Sequence, residues 1–465
     1  MRNPLDHCIS RAILACKSRA LDLFRFALRP LNRRAPNEFT WFTGSGRLLS
    51  VLILGAWFIF HSAIFASHTR EPKSAPQSQN ANLPIVLVGE KIFVSPFVLP
   101  IADGAIVIQD GKITAVGRRG KIFVPEGAGY FDCTDLYVTA GFQNSHVHFS
   151  EPKWVGTAKL PAPLLNAQLQ LMFTRYGFTT VVDTGSLIDN TSALRQRIDS
   201  GEVTGPRILT SGIPLYPHGA IPYYVKDSTP ADELKLLYDP STPAEAIQDV
   251  DQDVAAGADI IKLFTGSWIS KSRVVPMPLA IAQAAVQEAH KRGKLVFAHP
   301  SNVAGFQVAL QARVDVLAHA VDDTRGWNNS YLKQMRTQKM WMIPTLSLFT
   351  GESNYADILA EVRDFSQDHD QILFGTDVGF RTEYDPSSEY VEMARAGMSF
   401  TQILDSLTTA PAIRFGESQR RGQIKTGMDA DLVVLSADPQ QDIRNLARVS
   451  YTFRKGQIIY SIAGQ

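Results

Sequence analysis

Cysteine is scarce: the 465 residues contain three, Cys8, Cys16 and Cys133. Only Cys133 lies beyond the N-terminal region, which excludes a disulfide framework and a thiolate metal cluster from the main body. Any metal held there must take nitrogen and oxygen ligands. An excess of either charge is also lacking. Lys and Arg total 46 against 45 Asp and Glu, a formal net charge of +1, and no basic stripe runs through the main body. That balance supplies no field to gather nucleic acid, so no nucleic-acid partner is expected. Short sequence repeats, the mark of a solenoid, are missing as well. What remains, with 45% hydrophobic and 20% charged residues, is an ordinary globular composition long enough for a large core.

Unbroken apolar sequence is confined to one place. Leu48 to Ser67, LLSVLILGAWFIFHSAIFAS, has twenty residues without Asp, Glu, Lys or Arg, enough to cross a hydrocarbon core of about 30 Å as a helix. Residues 1–47 ahead of it are rich in Arg and poor in acids, which under the positive-inside rule keeps them cytoplasmic. Residues 68–82 form a polar linker rich in Ser, Pro, Gln and Asn. The expectation is a membrane partner engaged through an N-terminal transmembrane helix, with the main body outside the cytoplasm on the periplasmic side. The alternatives are a signal segment cut near Ala66, giving a secreted protein, and a true start further along the chain.

From residue 83 the pattern turns β-rich. PIVLVGEKIFV is followed by GAIVIQDGKITAVG, where Asp110-Gly111 punctuates two alternating strands as a hairpin turn. The same style returns in ADLVVLSADP and SYTFRKGQIIYSI, with Lys455-Gly456 at the turn. Residues 83–138 and 423–465 therefore read as one small β-sandwich domain built from both ends of the main body. Residues 139–422 alternate eight short apolar runs with longer amphipathic stretches. The runs are VTAGFQNSHVHF, GFTTVVDTGS, PRILTSG, ADIIKLFTG, KLVFAHP, VDVLAHA, MWMIPTLS and QILFGTD. Their Val, Ile and Leu content fits strands covered on both faces, while PLAIAQAAVQEAHKRG reads as a helix ending in a basic turn and Gly293. Gly177, Gly257 and Gly293 each precede a run by a few residues, as helix stops do. Eight βα repeats give an α/β expectation, a (β/α)8 TIM barrel.

Such barrels place their chemistry at the C-terminal ends of the strands. His146 and His148 close the first run, and positions i and i+2 of an extended chain share a face. Asp183 ends the second run, Lys262 sits in the fourth, His299 ends the fifth, His319 the sixth and Asp377 the eighth. Four of the seven histidines of the main body fall at these ends. His218 lies in the loop after run three, and His290 and His369 stand in polar stretches as surface residues. Singly, each donor has an ordinary explanation: a hydrogen-bonded core imidazole, a lysine reaching solvent, an Asp capping a helix. Four imidazoles and a carboxylate converging on one barrel mouth would be costly to bury unpaired, and a divalent cation satisfies them together. Imidazole and carboxylate suit zinc, with manganese, iron or nickel open on the same donors. Asp183 reads as a structural cap or a hydrogen-bonding support.

The order His-x-His, Lys, His, His, Asp over eight strands resembles the amidohydrolase superfamily of metal-dependent hydrolases. The likeness runs from about Leu83 to the C-terminus and includes GFTTVVDTGS, GADIIKLF, MWMIPTLS and the tail GQIKTGMDADLVVLSADP. GADIIKLF is most similar to the branch holding imidazolonepropionase-like proteins and metal-dependent Xaa-Pro dipeptidases. One departure stands out: Ala140-Gly141-Phe142-Gln143-Asn144 replaces the usual Pro-Gly-Leu-Ile-Asp, which leaves Asn144 to make the supporting hydrogen bond. The resemblance implies two divalent metal ions, zinc first among them. His146, His148 and Asp377 would hold the more buried ion, and His299 and His319 the more exposed one. Lys262, carboxylated by carbon dioxide, would bridge them as an anion. It further implies attack of an activated water on a polarised carbonyl, with Asp377 as general base and then general acid.

Substrate contacts are expected from the loop SGIPLYPHGAIPYYVKD, which can cover the mouth. There His218 could donate to the carbonyl oxygen, and Tyr223 and Tyr224 could touch the substrate. Arg381, just past Asp377, is the candidate cation for a terminal carboxylate; Trp154 flanks the mouth without a role. The expected function is hydrolysis of a C–N bond (amide, peptide or cyclic amide) in a small substrate, with a dipeptidase-like version among the options. A tethered, non-catalytic barrel serving as a scaffold expects at least one ligand position to be lost, and none is. An esterase or lactonase using the same centre is the third reading.

Overall fold

The computed structural model describes residues 83–367 and 371–462. The segment Leu48–Ser67, the linker after it, Cys8, Cys16 and His369 lie outside the described residues. Among those described, no helix is long and apolar enough to cross a membrane. The chain enters through β1 (Ile85–Phe93), β2 (Ile101–Gln109), β3 (Lys112–Arg118) and β4 (Gly129–Ala140). Between β2 and β3, Asp110 and Gly111 take φ of 51° and 74°. A two-residue hairpin turn needs left-handed backbone at both positions, and Asp-Gly accepts it at low cost.

The barrel region follows. Strands β5 (Phe142–Val147), β6 (Phe178–Asp183) and β7 (Arg207–Thr210) form one parallel sheet. Then come β8 (Ile260–Phe264) and the antiparallel hairpin β9 (Gly266–Ser270) and β10 (Arg273–Pro276). β11 (Leu295–His299), β12 (Val316–Ala318) and β13 (Trp341–Ile343) join β8 in a second parallel sheet. Helices such as Pro243–Ala255, Leu279–Lys291 and Val303–Ala312 connect successive strands. Every residue of β5, β6 and β8 is buried, as strands covered on both faces should be. Neighbours on a strand face opposite sides, and two separate clusters show it. Val182, Leu209, Ile260, Phe297, Val316, Ile343 and Leu373 pack together inside the ring. Val181, Ile208, Ile261, Val296, Leu317, Met342 and Phe374 belong to the core that includes the helices.

The architecture is a TIM-barrel-like α/β fold, but its ladder is not one continuous closed sheet. Run eight is not a regular strand. It occupies the place between β13 and β5, where the Leu373 amide donates to Met342 O and the Ser145 amide to Phe374 O. Between β7 and β8, the Leu215 amide donates to Lys262 O and its carbonyl accepts from Phe264. At these junctions isolated bridges stand in for strand pairs. The causes are local: Pro214 has no N–H to give, and Asp377 turns to φ 58°, out of the extended region.

Strands β14 (Leu432–Leu435), β15 (Val449–Arg454) and β16 (Gln457–Ser461) return to the first four. The expected sandwich forms instead as one seven-stranded mixed sheet of order β16-β15-β14-β4-β1-β2-β3. The reason is β4, whose twelve residues pair with β1 on one side and β14 on the other, so the hydrogen bonding never breaks into two sheets. One face closes over Phe131, whose ring meets Tyr451 and Phe453 edge-on at 4.9 and 5.3 Å. Lys455 and Gly456 repeat the left-handed turn at φ 49° and 73°.

Candidate metal centre

By the two-residue period, Lys262 and His299 extend the inward rows begun by Ile260 and Phe297. They stand above an apolar floor, at the C-terminal mouth. His146 is the penultimate residue of β5, on the row of Asn144, and His148 lies just past the strand. His146, Lys262, His299, His319 and Asp377 are 0, 1, 9, 3 and 4% exposed. Ring centroids of His146 and His148, His146 and His319, and His299 and His319 lie 5.3, 4.4 and 4.6 Å apart, one contiguous arc of imidazoles. Asp377 Oδ1 sits 3.2 Å from His146 Nε2 and 3.0 Å from His148 Nε2.

Two of these residues are aimed by backbone that L-residues rarely adopt. Asp377 has φ 58° and His319 φ 95°, each costing about 1–3 kcal/mol that the surrounding packing must offset. At Gly379, φ 104°, a Cβ would come within 2.0 Å of His148 O, so only glycine lets run eight lie against His148.

Protons make the case for a cation. The His148 Nδ1–H donates to Gly185 O at 2.9 Å. A neutral ring then presents its Nε2 lone pair to a carboxylate oxygen at 3.0 Å, acceptor against acceptor. A proton or a metal ion must lie between them. The Thr345 hydroxyl donates to Pro344 O at 2.8 Å and so accepts from His319 Nδ1 at 2.7 Å, which frees His319 Nε2 as a lone pair as well. Both ring nitrogens of His146, His299 Nε2 and Asp377 Oδ1 are buried without a hydrogen-bond partner. Orphaned buried polar atoms are expensive, and one cation satisfies several of them.

The acidities agree. Burial, and then the Lys262 charge, push His146 down to about 3. Burial holds His299 and His319 well below the usual imidazole range. All three are therefore neutral, the ligand form. His148 is raised: burial pulls it down, but its contact with Asp377 and that carboxylate's charge outweigh it. Burial also works against Asp377, yet its contacts with the His146 and His148 rings, the raised His148 among them, keep it well below the carboxylate range. Lys262 is pushed down to about 7 by burial, against the pull of Asp377, so much of it is a neutral amine at physiological pH. Ligand atoms of His146, His148 and Asp377 lie within 4.8 Å of one another. This donor set fits a divalent ion of the zinc class.

The supporting residues divide. Asp183 is fully buried and spends its oxygens on protein donors: Ser186 at 2.5 Å, Thr210 at 2.7 Å, and the amides of Phe149 and Gly185 at 3.3 Å. It braces the turn whose Gly185 carbonyl orients His148. Asn144 accepts the His146 amide at 3.2 Å and donates to Thr376 at 2.8 Å, tying β5 to run eight. His218 stands on the loop after β7, 62% exposed, with Nδ1 on Asp239 O at 2.9 Å. Tyr223 and Tyr224 open the helix Tyr223–Ser228, and the Tyr224 ring meets Phe380 at 5.2 Å. Arg381 donates to Ser347 Oγ at 2.5 Å. Trp154 is core, edge-on to Phe149 at 5.0 Å. His290 is a surface residue paired with Asp315 at 2.8 Å. Sequence reasoning missed Gly185 and Thr345; their only signal was position, each a residue or two beyond a strand.

Comparison with known proteins bears on the family of the chain. The chain is 22% identical over 434 residues to the ochratoxinase of Aspergillus niger, covering 81% of this chain and 85% of that one. A shorter match, 40% over 67 residues, links 14% of the chain to 16% of the imidazolonepropionase of Thermoplasma acidophilum. A crystal structure of a Xaa-Pro dipeptidase with bound methionine superposes with a TM-score of 0.69 at 23% identity, over 81% of this chain and all of that one. The sequence model of the Amidohydrolase family matches residues 137–459. The chain belongs to that family and is a hydrolase acting on carbon–nitrogen bonds.

Proposed function

We propose that the chain is a metal-dependent hydrolase of small amides, dipeptide-like substrates foremost, with two zinc-class ions held at the barrel mouth. The observation that carries this is the buried arc at the barrel mouth, where both ring nitrogens of His146, His299 Nε2 and Asp377 Oδ1 have no hydrogen-bond partner. His146, His148 and Asp377 would hold the inner ion, and His299 and His319 the outer. Bound there, the ions would supply a water of lowered pKa and a Lewis acid for the scissile carbonyl. The chain's own residues do the rest. Lys262, partly uncharged at neutral pH, would attack carbon dioxide through Nζ, lose a proton, and offer an anionic carbamate between the two halves. Asp377, far below the carboxylate range, stays ionised until it accepts the proton of the attacking water. It then passes that proton to the leaving nitrogen. Tyr223, Tyr224 and Arg381 would border the substrate, with His218 reaching it from the rim. The Xaa-Pro dipeptidase among the structural relatives supports a short peptide as the substrate class. We further propose that Leu48–Ser67 anchors the enzyme with its barrel outside the cytoplasm.

The test is a panel of dipeptides, N-acyl amino acids, cyclic amides and lactones assayed with the zinc-loaded protein. Cleavage of a C–N substrate is expected, abolished by a chelator and restored by zinc. Turnover of lactones alone would replace this reading with an esterase. Protease access to the barrel in intact cells tests the anchor: protection from external protease once the outer layers are opened would contradict it.

A further inference from the structure

One carboxylate at the mouth is not used by anything described so far. Asp322 lies three residues past His319, in the loop after β12. Its Oδ2 accepts the indole N–H of Trp268, on β9, at 2.6 Å. Its Oδ1 is buried and has no hydrogen-bond partner. The neighbouring acids are already engaged: Asp323 pairs with Arg325 at 2.8 Å, and Glu361 accepts the Val321 amide. The loop is pinned from two sides, by Asn354 Nδ2 on Asp322 O at 2.7 Å and by the Asp323 amide on Ser301 O at 2.9 Å. Asp322 is therefore held in place, not placed by chance.

Tyr224 links it to the metal cradle. The Tyr224 hydroxyl is raised well above its ordinary value by burial, then by the charge of Asp322, and further by that of Asp377. The Tyr224 ring packs on Phe380 from the loop after run eight. β9, which carries Trp268, packs against the helix Tyr223–Ser228, whose Tyr224 meets Phe380 three residues past Asp377.

A buried carboxylate fixed by an indole at one oxygen and facing only its own loop's amides, with no cation paired to it among the described residues, is an incomplete ion pair. Burial already pushes Asp322 up to about 7. An ammonium group would bring both the missing charge and the missing hydrogen-bond donors. One carboxylate and one indole are too few donors for a second metal site.

We propose that Asp322 is a specificity-determining residue that binds an ammonium group of the substrate. That such a molecule is the substrate rests on the hydrolase reading above; the binding itself does not. Calorimetric titration of the zinc-loaded full chain separates the two, because it needs no turnover. Three probes are compared: L-alaninamide with an α-ammonium, N-acetyl-L-lysinamide with a side-chain ammonium, and N-acetyl-L-alaninamide with neither. At least one charged probe should bind about tenfold or more tightly than the neutral one. Asp322→Asn should abolish that preference, and Asp322→Glu, which keeps the charge, should retain part of it. Which charged probe is preferred identifies the source of the ammonium. Equal binding of all three probes by the wild type overturns the proposal. So does an equal loss for all three in Asp322→Asn, or no rescue by Asp322→Glu in a folded variant.

Discussion

The small sheet and the barrel mouth both bury charge, and they handle it in opposite ways. Beside the sheet, Asp429 meets Lys112, Arg420 and Arg421, Asp431 meets Arg421, and Asp438 meets Lys91. Each buried acid there meets a cation supplied by the chain, with Arg421 shared between Asp429 and Asp431. At the mouth, three imidazoles held neutral, a raised one, a lysine with weakened basicity and an ionised Asp377 face one another, and several of their atoms have no partner. A chain that can complete its ion pairs in one region leaves them open in another. The open region is where a ligand is expected to complete the set.

The largest effects should fall on catalysis at the mouth. Asp377→Asn should lower kcat/KM by about a thousandfold or more, with the fold retained in circular dichroism. An active Asp377→Asn enzyme would erase the contrast between the two regions. In the sheet the signs reverse. Arg421→Ala leaves Asp429 and Asp431 short of their buried partner and should cost about 3–5 kcal/mol in denaturant unfolding, while specific activity of the folded fraction stays unchanged. A large activity loss without unfolding would mean that the regions are not separable.

Smaller effects sharpen the same contrast. Thr345→Val removes the acceptor that orients His319 and should weaken zinc binding by about 10–100-fold in competition with a chelator. The pH dependence of the metal-free fold gives a further test, read as the change that a single substitution makes in the slope. His146, His299 and His319 have folded pKa values below the unfolded 6.5, to about 3 for His146. Between those limits the unfolded chain binds the extra protons, so stability should fall as pH falls from 6.5. The slope is about 1.4 kcal/mol per pH unit for each imidazole once pH is well below 6.5. Asp429, whose pKa is lowered, loses its contribution only as pH falls below 3.8 and through its folded value. His146→Asn should therefore reduce the slope above pH 4, whereas Asp429→Asn should leave it unchanged.

Much of the candidate site was legible because buried polar donors at the ends of apolar runs stand out in a barrel sequence. The arc of His146, His148, His299 and His319, with Lys262 and Asp377, could be found that way. The Asp110-Gly111 and Lys455-Gly456 turns were legible because their backbone demands few residue types. The rest depended on contacts between distant segments. Nothing local marks the Gly185 carbonyl that selects the His148 tautomer, or the idle oxygen of Asp322. The sandwich expectation failed because β4 is long enough to serve two neighbours at once, a matter of pairing and not of pattern. Run eight carries strand-like sequence, yet the turn that aims Asp377 breaks its ladder.

Metal stoichiometry tests the central claim most directly. Elemental analysis of the full chain, purified after zinc loading and removal of free ion, should find about two zinc ions per chain, and clearly fewer in Lys262→Ala. A wild-type protein that retains none would contradict the account, since the open donors at the mouth would then have no cation to complete them.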